Sequence, residues 1–174
     1  MKRVAVVTSA SGNGGTTFGR VLAARLQVPF VELDALNYGP GWAQATPEQL
    51  RARVAPLVAT DAWVIEGGYW GKLGDLVLDR TDLVVWLDLP TTVWLPRLVR
   101  RTIRRIVRKE ELWHGNRETF RGGLVGRDAL LVYMLRNYRR RRRVYPERLR
   151  AYNTVRLRTT GEVERFLRSV APVT

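Results

Sequence analysis

The stretch TSASGNGGTTFGR, residues 8–20, decides the fold. Laid on the phosphate-binding loop pattern GxxxxGK[ST], residues 9–16 read S-A-S-G-N-G-G-T: Ser9 takes the first glycine place, Gly15 the lysine place and Thr16 the last. Both Ser9 and Gly15 depart from the pattern, so the surroundings must decide. Upstream, residues 4–7 are apolar and β-favouring; downstream, Phe18, Val21, Leu22 and Leu26 recur at helical spacing. Strand, glycine loop and helix is the context such a loop requires.

Further along, residues 29–33 form a second apolar run before Asp34, and NYGPG at 37–41 reads as a loop. Thr46, Pro47 and Gln49 make a capped helix start with Leu50, Val54 and Leu57 on one face, which predicts a helix over 47–59. Residues 62–65 read as a third strand ending at Glu66, and the wholly apolar 83–87 as a fourth ending at Asp88. Continuous apolar strands predict a sheet covered on both faces. From Leu95, the positions Leu98, Val99, Thr102, Ile103, Ile106 and Val107 keep helical period while six arginines fill the rest, predicting an amphipathic helix with a basic face. Residues 111–126, ELWHGNRETFRGGLVG, read as a mobile or irregular segment; 129–143 reads as a helix, Val155 and Leu157 as a last strand, and Thr160 as the cap of a final helix. The alternation predicts a single α/β domain over 1–174 with a mainly parallel sheet. Ligands of such folds sit beyond the carboxyl ends of the strands, where the glycine loop, Asp34, Glu66 and Asp88 all fall.

A chain of 174 residues with 45% hydrophobic residues is the size and composition of one packed domain. The absence of Cys excludes disulfides and thiolate metal sites, and the lone His114 excludes a histidine cluster. No apolar run approaches the ~20 residues of a membrane span, and the start, MKRVAVV, reads as a strand rather than a leader, so a cytoplasmic setting is expected. The formal charge is +14, with 27 of the 30 basic residues being Arg. Such an excess draws in polyanions without choosing among nucleotide, nucleic acid and acidic membrane.

Taken in order, the glycine loop, ELD at 32–34, EGGY at 66–69, LDLP at 87–90, RRTIRR at 100–105 and ELWHGNRE at 111–118 resemble the adenylate-kinase-like phosphate-loop kinases, and among them the topology modulation protein branch. The resemblance implies a three-layer fold, with a five-stranded parallel sheet between helices and an Arg-rich lid at about 108–126, that binds ATP with Mg²⁺. It implies that Gly12, Asn13, Gly14, Gly15, Thr16 and Thr17 wrap the donor phosphates, and that Thr16 and Glu66 hold the metal. Arg97 and Arg101 would contact the donor nucleotide; Arg104, Arg105, Arg117 and Arg121 would be lid cations. Asp34 would orient or deprotonate the hydroxyl of a nucleotide or other small acceptor.

Gly15 removes the charge that the family's lysine places on the β and γ phosphates, a loss of roughly 10²–10³ in rate by analogy with deleting one preorganised donor. Three readings stay open: a kinase in which another cation serves, a nucleotide-binding pseudokinase, and a nucleic-acid-binding protein working through Arg139, Arg140, Arg141, Arg142 and Arg143. Asp88 reads as an ordinary cap or solvated carboxylate, His114 as a structural or surface residue, and Trp42 or Trp70 as a surface on which an acceptor base would stack.

Overall fold

The computed structural model describes residues 2–124 and 129–170; the last two residues of the expected lid, 125 and 126, lie outside this range. The elements run β1 (Arg3–Thr8), α1 (Gly15–Leu26), β2 (Phe30–Glu32), α2 (Leu33–Asn37), α3 (Pro47–Val58), β3 (Trp63–Glu66), α4 (Trp70–Leu73), β4 (Leu83–Leu87), α5 (Thr91–Val107), α6 (Phe120–Gly123), α7 (Leu130–Leu149), β5 (Thr154–Leu157) and α8 (Thr160–Ser169). The strands form one sheet in the order β2-β3-β1-β4-β5, with every pairing parallel. This is the expected α/β architecture. The central strand β1 is joined to β3 on one side and β4 on the other, so the chain diverges at its carboxyl end and opens a crevice there.

Both faces of the sheet are covered, as the apolar strands predict. Along β1, Val4 and Val6 face one way with Phe18 and Leu22 of α1, while Ala5 and Val7 face the other way with Val54 of α3 and Tyr145 of α7. A third cluster, Ala10, Trp94, Leu98, Met134 and Tyr138, fills the space beneath the glycine loop between α5 and α7. Helix α3 starts where the sequence places it, with Thr46 and Gln49 exchanging the bonds of a capping box.

Three local expectations change. Helix α7 runs on to Leu149 through Pro146, six residues past the arginine run. The cap of α8 is Thr159, not Thr160, because its side chain accepts the Glu162 N–H. On α5, Leu98 and Thr102 are buried, but Ile103 is 41% and Val107 74% exposed, so the apolar stripe is covered only where α5 lies against the loop and α6.

Candidate active site

The loop at residues 9–14 is held by side chains as much as by glycine. Ser9 is buried: its hydroxyl donates to Asp88 Oδ1 (2.6 Å) and accepts from Trp86 Nε1 (2.8 Å). Asn13 turns inward, its Nδ2 donating to the Leu87 carbonyl (3.0 Å), so its side chain is unavailable to a ligand. Gly12, at φ 93°, meets α5 so closely that a Cβ there would lie 3.1 Å from Leu98 Cβ. Helix α1 then begins with no side-chain cap and no acidic residue in its first turn. Its first amides, from Gly15, Thr16 and Thr17, have no intrahelical acceptor and point out with the positive end of the helix dipole, which makes an anion site.

Asp88 departs from the sequence expectation. It is neither a cap nor solvated but buried, and its Oδ2 accepts from Arg156 Nε (3.0 Å) and Nη2 (2.5 Å) and from Arg142 Nε (3.1 Å). The Arg156 guanidinium also lies 4.0 Å from the Trp86 ring centroid. One carboxylate therefore ties the start of the loop to β5 and α7.

Across the loop stand three carboxylates. Glu32 and Glu66 are neighbours in the β2–β3 register, and Asp34 opens α2. Thr16 Oγ1 donates to Glu32 Oε1 (2.9 Å), and Tyr69 OH donates to Asp34 Oδ1 (2.6 Å). Burial raises the Asp34 pKa, against the Tyr69 hydrogen bond. Glu66 is buried and makes no side-chain hydrogen bond among the described residues; burial first, then the charges of Asp34 and Glu32, push its pKa from 4.5 up to about 8.

The raised value fixes a pH dependence. A carboxyl protonated more readily in the folded chain than in the unfolded one lends stability fully below about pH 4.5, and that stability is lost as pH rises towards 8. Glu66→Gln, neutral throughout, therefore matches the parent near pH 4.5 and gains on the order of 5 °C in Tm by about pH 8.5. Thermal unfolding of both proteins across that window checks it; parallel curves would mean that Glu66 is ionised in the fold.

The Thr16 hydroxyl proton is directed to Glu32, which leaves its lone pairs for a cation, and Glu66 is a buried carboxyl without a donor. Thr16, Glu66 and Glu32 therefore fit Mg²⁺. Among the described residues no group of three acidic, His or Cys residues could hold a metal ion alone.

Of the predicted cations, Arg97, Arg101, Arg104, Arg105 and Arg117 line the same cleft as the loop, whereas Arg121 does not. Arg104 pairs with Glu110 (3.2 Å), Arg105 with Glu118 (2.7 Å) and Arg117 with Glu111 (2.6 Å). Arg97 and Arg101 have no acidic partner within ion-pair distance among the described residues. The cleft measures about 1800 Å³, beyond the ~300–1,000 Å³ of a site for one small ligand, and so has room for a donor and an acceptor.

The segment expected to form a lid is irregular, as its glycines suggest, and part of it is held against residues 38–42. Asn116, buried, accepts from the Trp42 amide (2.9 Å) and donates to the Gly39 carbonyl (2.8 Å), while Trp113 stacks on Tyr38 (5.9 Å, 14°) with Trp42 edge-on to both. Trp42 thus lines the cleft; Trp70 packs on Tyr145 (4.4 Å), itself a cleft residue, without lining the cleft. His114 lies exposed, its Nε2 3.4 Å from the Ala35 carbonyl.

Sequence reasoning missed Glu32, which ends β2 just before Leu33 and Asp34 of α2, and Arg136 beside the arginine run; it placed Arg141 in that run only as a nucleic-acid contact. Both arginines line the cleft from α7.

Solved structures share this α/β fold with the chain. A shikimate kinase from Acinetobacter baumannii in complex with shikimate is similar over 98% of this chain and 91% of its own, at 20% identity and a TM-score of 0.57. The chain has the phosphate-loop kinase fold. A shikimate kinase from Bacteroides thetaiotaomicron (19% identity, 98% and 96% covered, TM-score 0.56) and a gluconokinase from Sinorhizobium meliloti 1021 (17%, 98% and 89%, TM-score 0.55) resemble it alike. No protein-family model matches the chain, and neither does any curated protein. Among the described residues of this kinase fold, no helix is long and apolar enough to cross a membrane.

Proposed function

We propose that the chain is an ATP- and Mg²⁺-dependent phosphotransferase, of adenylate-kinase-like ancestry, that moves the γ-phosphoryl group to a hydroxyl of a small acceptor. The observation that carries this reading is one cleft with an uncapped helix N-terminus at one wall and Asp34 at the other. Phosphoryl transfer asks a protein chiefly to align two oxygens and neutralise spreading charge. Backbone amides of residues 12 and 14–17 would cradle the donor phosphates, with Arg97 and Arg101 beside them; Arg104 and Arg117, already paired with lid acids, would close over the nucleotide. When bound, Mg²⁺ would neutralise phosphate oxygens, held by Thr16 and Glu66 with Glu32 behind. Asp34, its carboxylate made more basic by burial, would take the acceptor's proton, and Tyr69 would hold it in place.

The acceptor end is walled by Tyr38, Trp42 and Trp113, rings suited to the apolar face of a sugar, a carbocycle or a base. The likeness in fold to shikimate kinases and a gluconokinase supports a small hydroxylated acceptor. The second reading, a nucleotide binder with little transfer activity, is favoured by one observation: residue 15 has no side chain and a carboxylate stands where one would begin. The nucleic-acid reading draws less support, because successive residues on α7 turn by ~100° and spread the five arginines around the helix. Arg142 is committed to Asp88 and Arg141 to the cleft.

Calorimetry with ATP and Mg²⁺ is expected to show saturable one-site binding; none at millimolar nucleotide would end the proposal. Labelled ATP offered with shikimate, gluconate and nucleoside monophosphates in parallel then separates the two readings, since the pseudokinase binds ATP and labels none of them.

A further inference from the structure

We propose that the outer face of α5 is a docking surface for an anionic lipid bilayer. The chain would lie with Pro96, Val99, Ile103 and Val107 at the edge of the acyl layer, and with Arg100 and Arg108 among the headgroups. Part of the +14 charge then serves a membrane surface rather than the phosphates in the cleft.

The surface is built into the periodicity of α5. Val99, Ile103 and Val107 are each followed by an arginine, at 100, 104 and 108, so an apolar file and a basic file run side by side along the helix. With Pro96, these side chains line one shallow groove. At ~1.5 Å per residue it extends for about 18 Å. Leu98 and Thr102, buried on the far side of the helix, hold α5 to the body of the protein. Ile103, 41% exposed, and Val107, 74% exposed, are left in water. No Asp or Glu occurs in α5 or lines the groove among the described residues. Arg104 pairs with Glu110 (3.2 Å), while Arg100 and Arg108 have no acidic partner within ion-pair distance among the described residues.

An exposed apolar file gains by being covered, and the basic file beside it decides what suits it. A second copy would bring the same arginines and a +14 charge of its own, setting like charges against each other. A nucleic acid would meet the arginines and leave the apolar file wet. A protein interface has an apolar core depleted of charge, whereas here the apolar file is one residue wide with guanidiniums beside it. A bilayer surface takes both files together. Apolar side chains reach the boundary between headgroups and acyl chains, and arginine stems lie along that boundary while their guanidiniums stay with the lipid phosphates. Anionic lipids also make the surface potential negative, which attracts a cationic chain from further off.

Co-sedimentation of the full chain with vesicles of phosphatidylcholine, alone or mixed with phosphatidylglycerol, tests this. The parent is expected to bind the mixed vesicles, to bind the neutral ones at least about tenfold more weakly, and to leave the mixed ones as salt rises from about 0.1 to about 1 M. Ile103→Ser combined with Val107→Ser changes no charge and no cleft residue. This double variant is expected to lose at least about tenfold in affinity for the mixed vesicles and, since both residues are exposed, to unfold near the parent's temperature. Arg108→Gln is expected to lose about fivefold. No binding to the mixed vesicles, or binding that the double Ser variant keeps within twofold, would overturn the proposal. So would a parent that is dimeric in solution until Ile103 and Val107 are changed, which would give this face to a second copy. A parent that binds the mixed vesicles as expected and binds no ATP would end the kinase reading and leave this one standing.

Discussion

Asp88→Ala is expected to lower the free energy of unfolding by about 3 kcal/mol, the lower end of what removing one partner of a buried ion pair costs. The carboxylate is fully enclosed, while the two arginines it holds are partly open, with side-chain exposures of 25% for Arg156 and 42% for Arg142. Removing Asp88 therefore strands charges that water can partly recover. It also takes the acceptor from Ser9, and with it the side-chain strut at the head of the phosphate loop. Urea unfolding followed by tryptophan fluorescence measures the loss. Arg142→Ala, which removes only the more exposed partner, is expected to cost under about 1 kcal/mol. An Asp88→Ala variant as stable as Arg142→Ala would mean that the carboxylate holds nothing.

Asp88 also shows what a sequence does and does not disclose. The strand before it was legible from its unbroken apolar run, and the parallel sheet from the alternation of strands and helices. The fate of the carboxylate was not, because its partners lie on α7 and β5, 54 and 68 residues further on. Ser9 read as a lapse from the glycine pattern for the same reason: its hydroxyl bonds to Asp88 and Trp86, which only the β1–β4 register brings beside it. Glu32 shared a triplet with Asp34, yet its link to Thr16 depends on how β2 is placed relative to α1. The five arginines read as one patch because sequence adjacency hides helical rotation; on α7 they split between solvent, Asp88 and the cleft. What could be read early was whatever depends on local periodicity and capping. The site's wiring depends on contacts across the sheet.

Gly15→Lys, the change that would restore the loop pattern, is expected to destabilise the protein by about 2 kcal/mol and to leave affinity for Mg²⁺ and ATP no better than the parent's. The first atom of the new side chain meets the Glu66 carboxylate and Thr8 Cγ2, an overpacking of the kind that costs about 1–3 kcal/mol. Glu66 is buried, and burial, then the like charges of Asp34 and Glu32, already push its pKa up, so a displaced carboxylate finds no easier place. If it stays, the lysine ammonium favours loss of the Glu66 proton, pairs with the carboxylate so formed and reaches no phosphate. Gly15→Ala isolates the steric part and is expected to show most of the loss. In the Glu66→Ala background, Gly15→Lys is expected to cost at least about 1 kcal/mol less, a coupling that a double-mutant cycle reads directly from chemical denaturation. If Gly15→Lys alone bound nucleotide tightly and unfolded like the parent, Glu66 would not be the group that keeps residue 15 a glycine. On this expectation, with Glu66 in that position the loop regains a usable lysine only when Glu66 is changed as well.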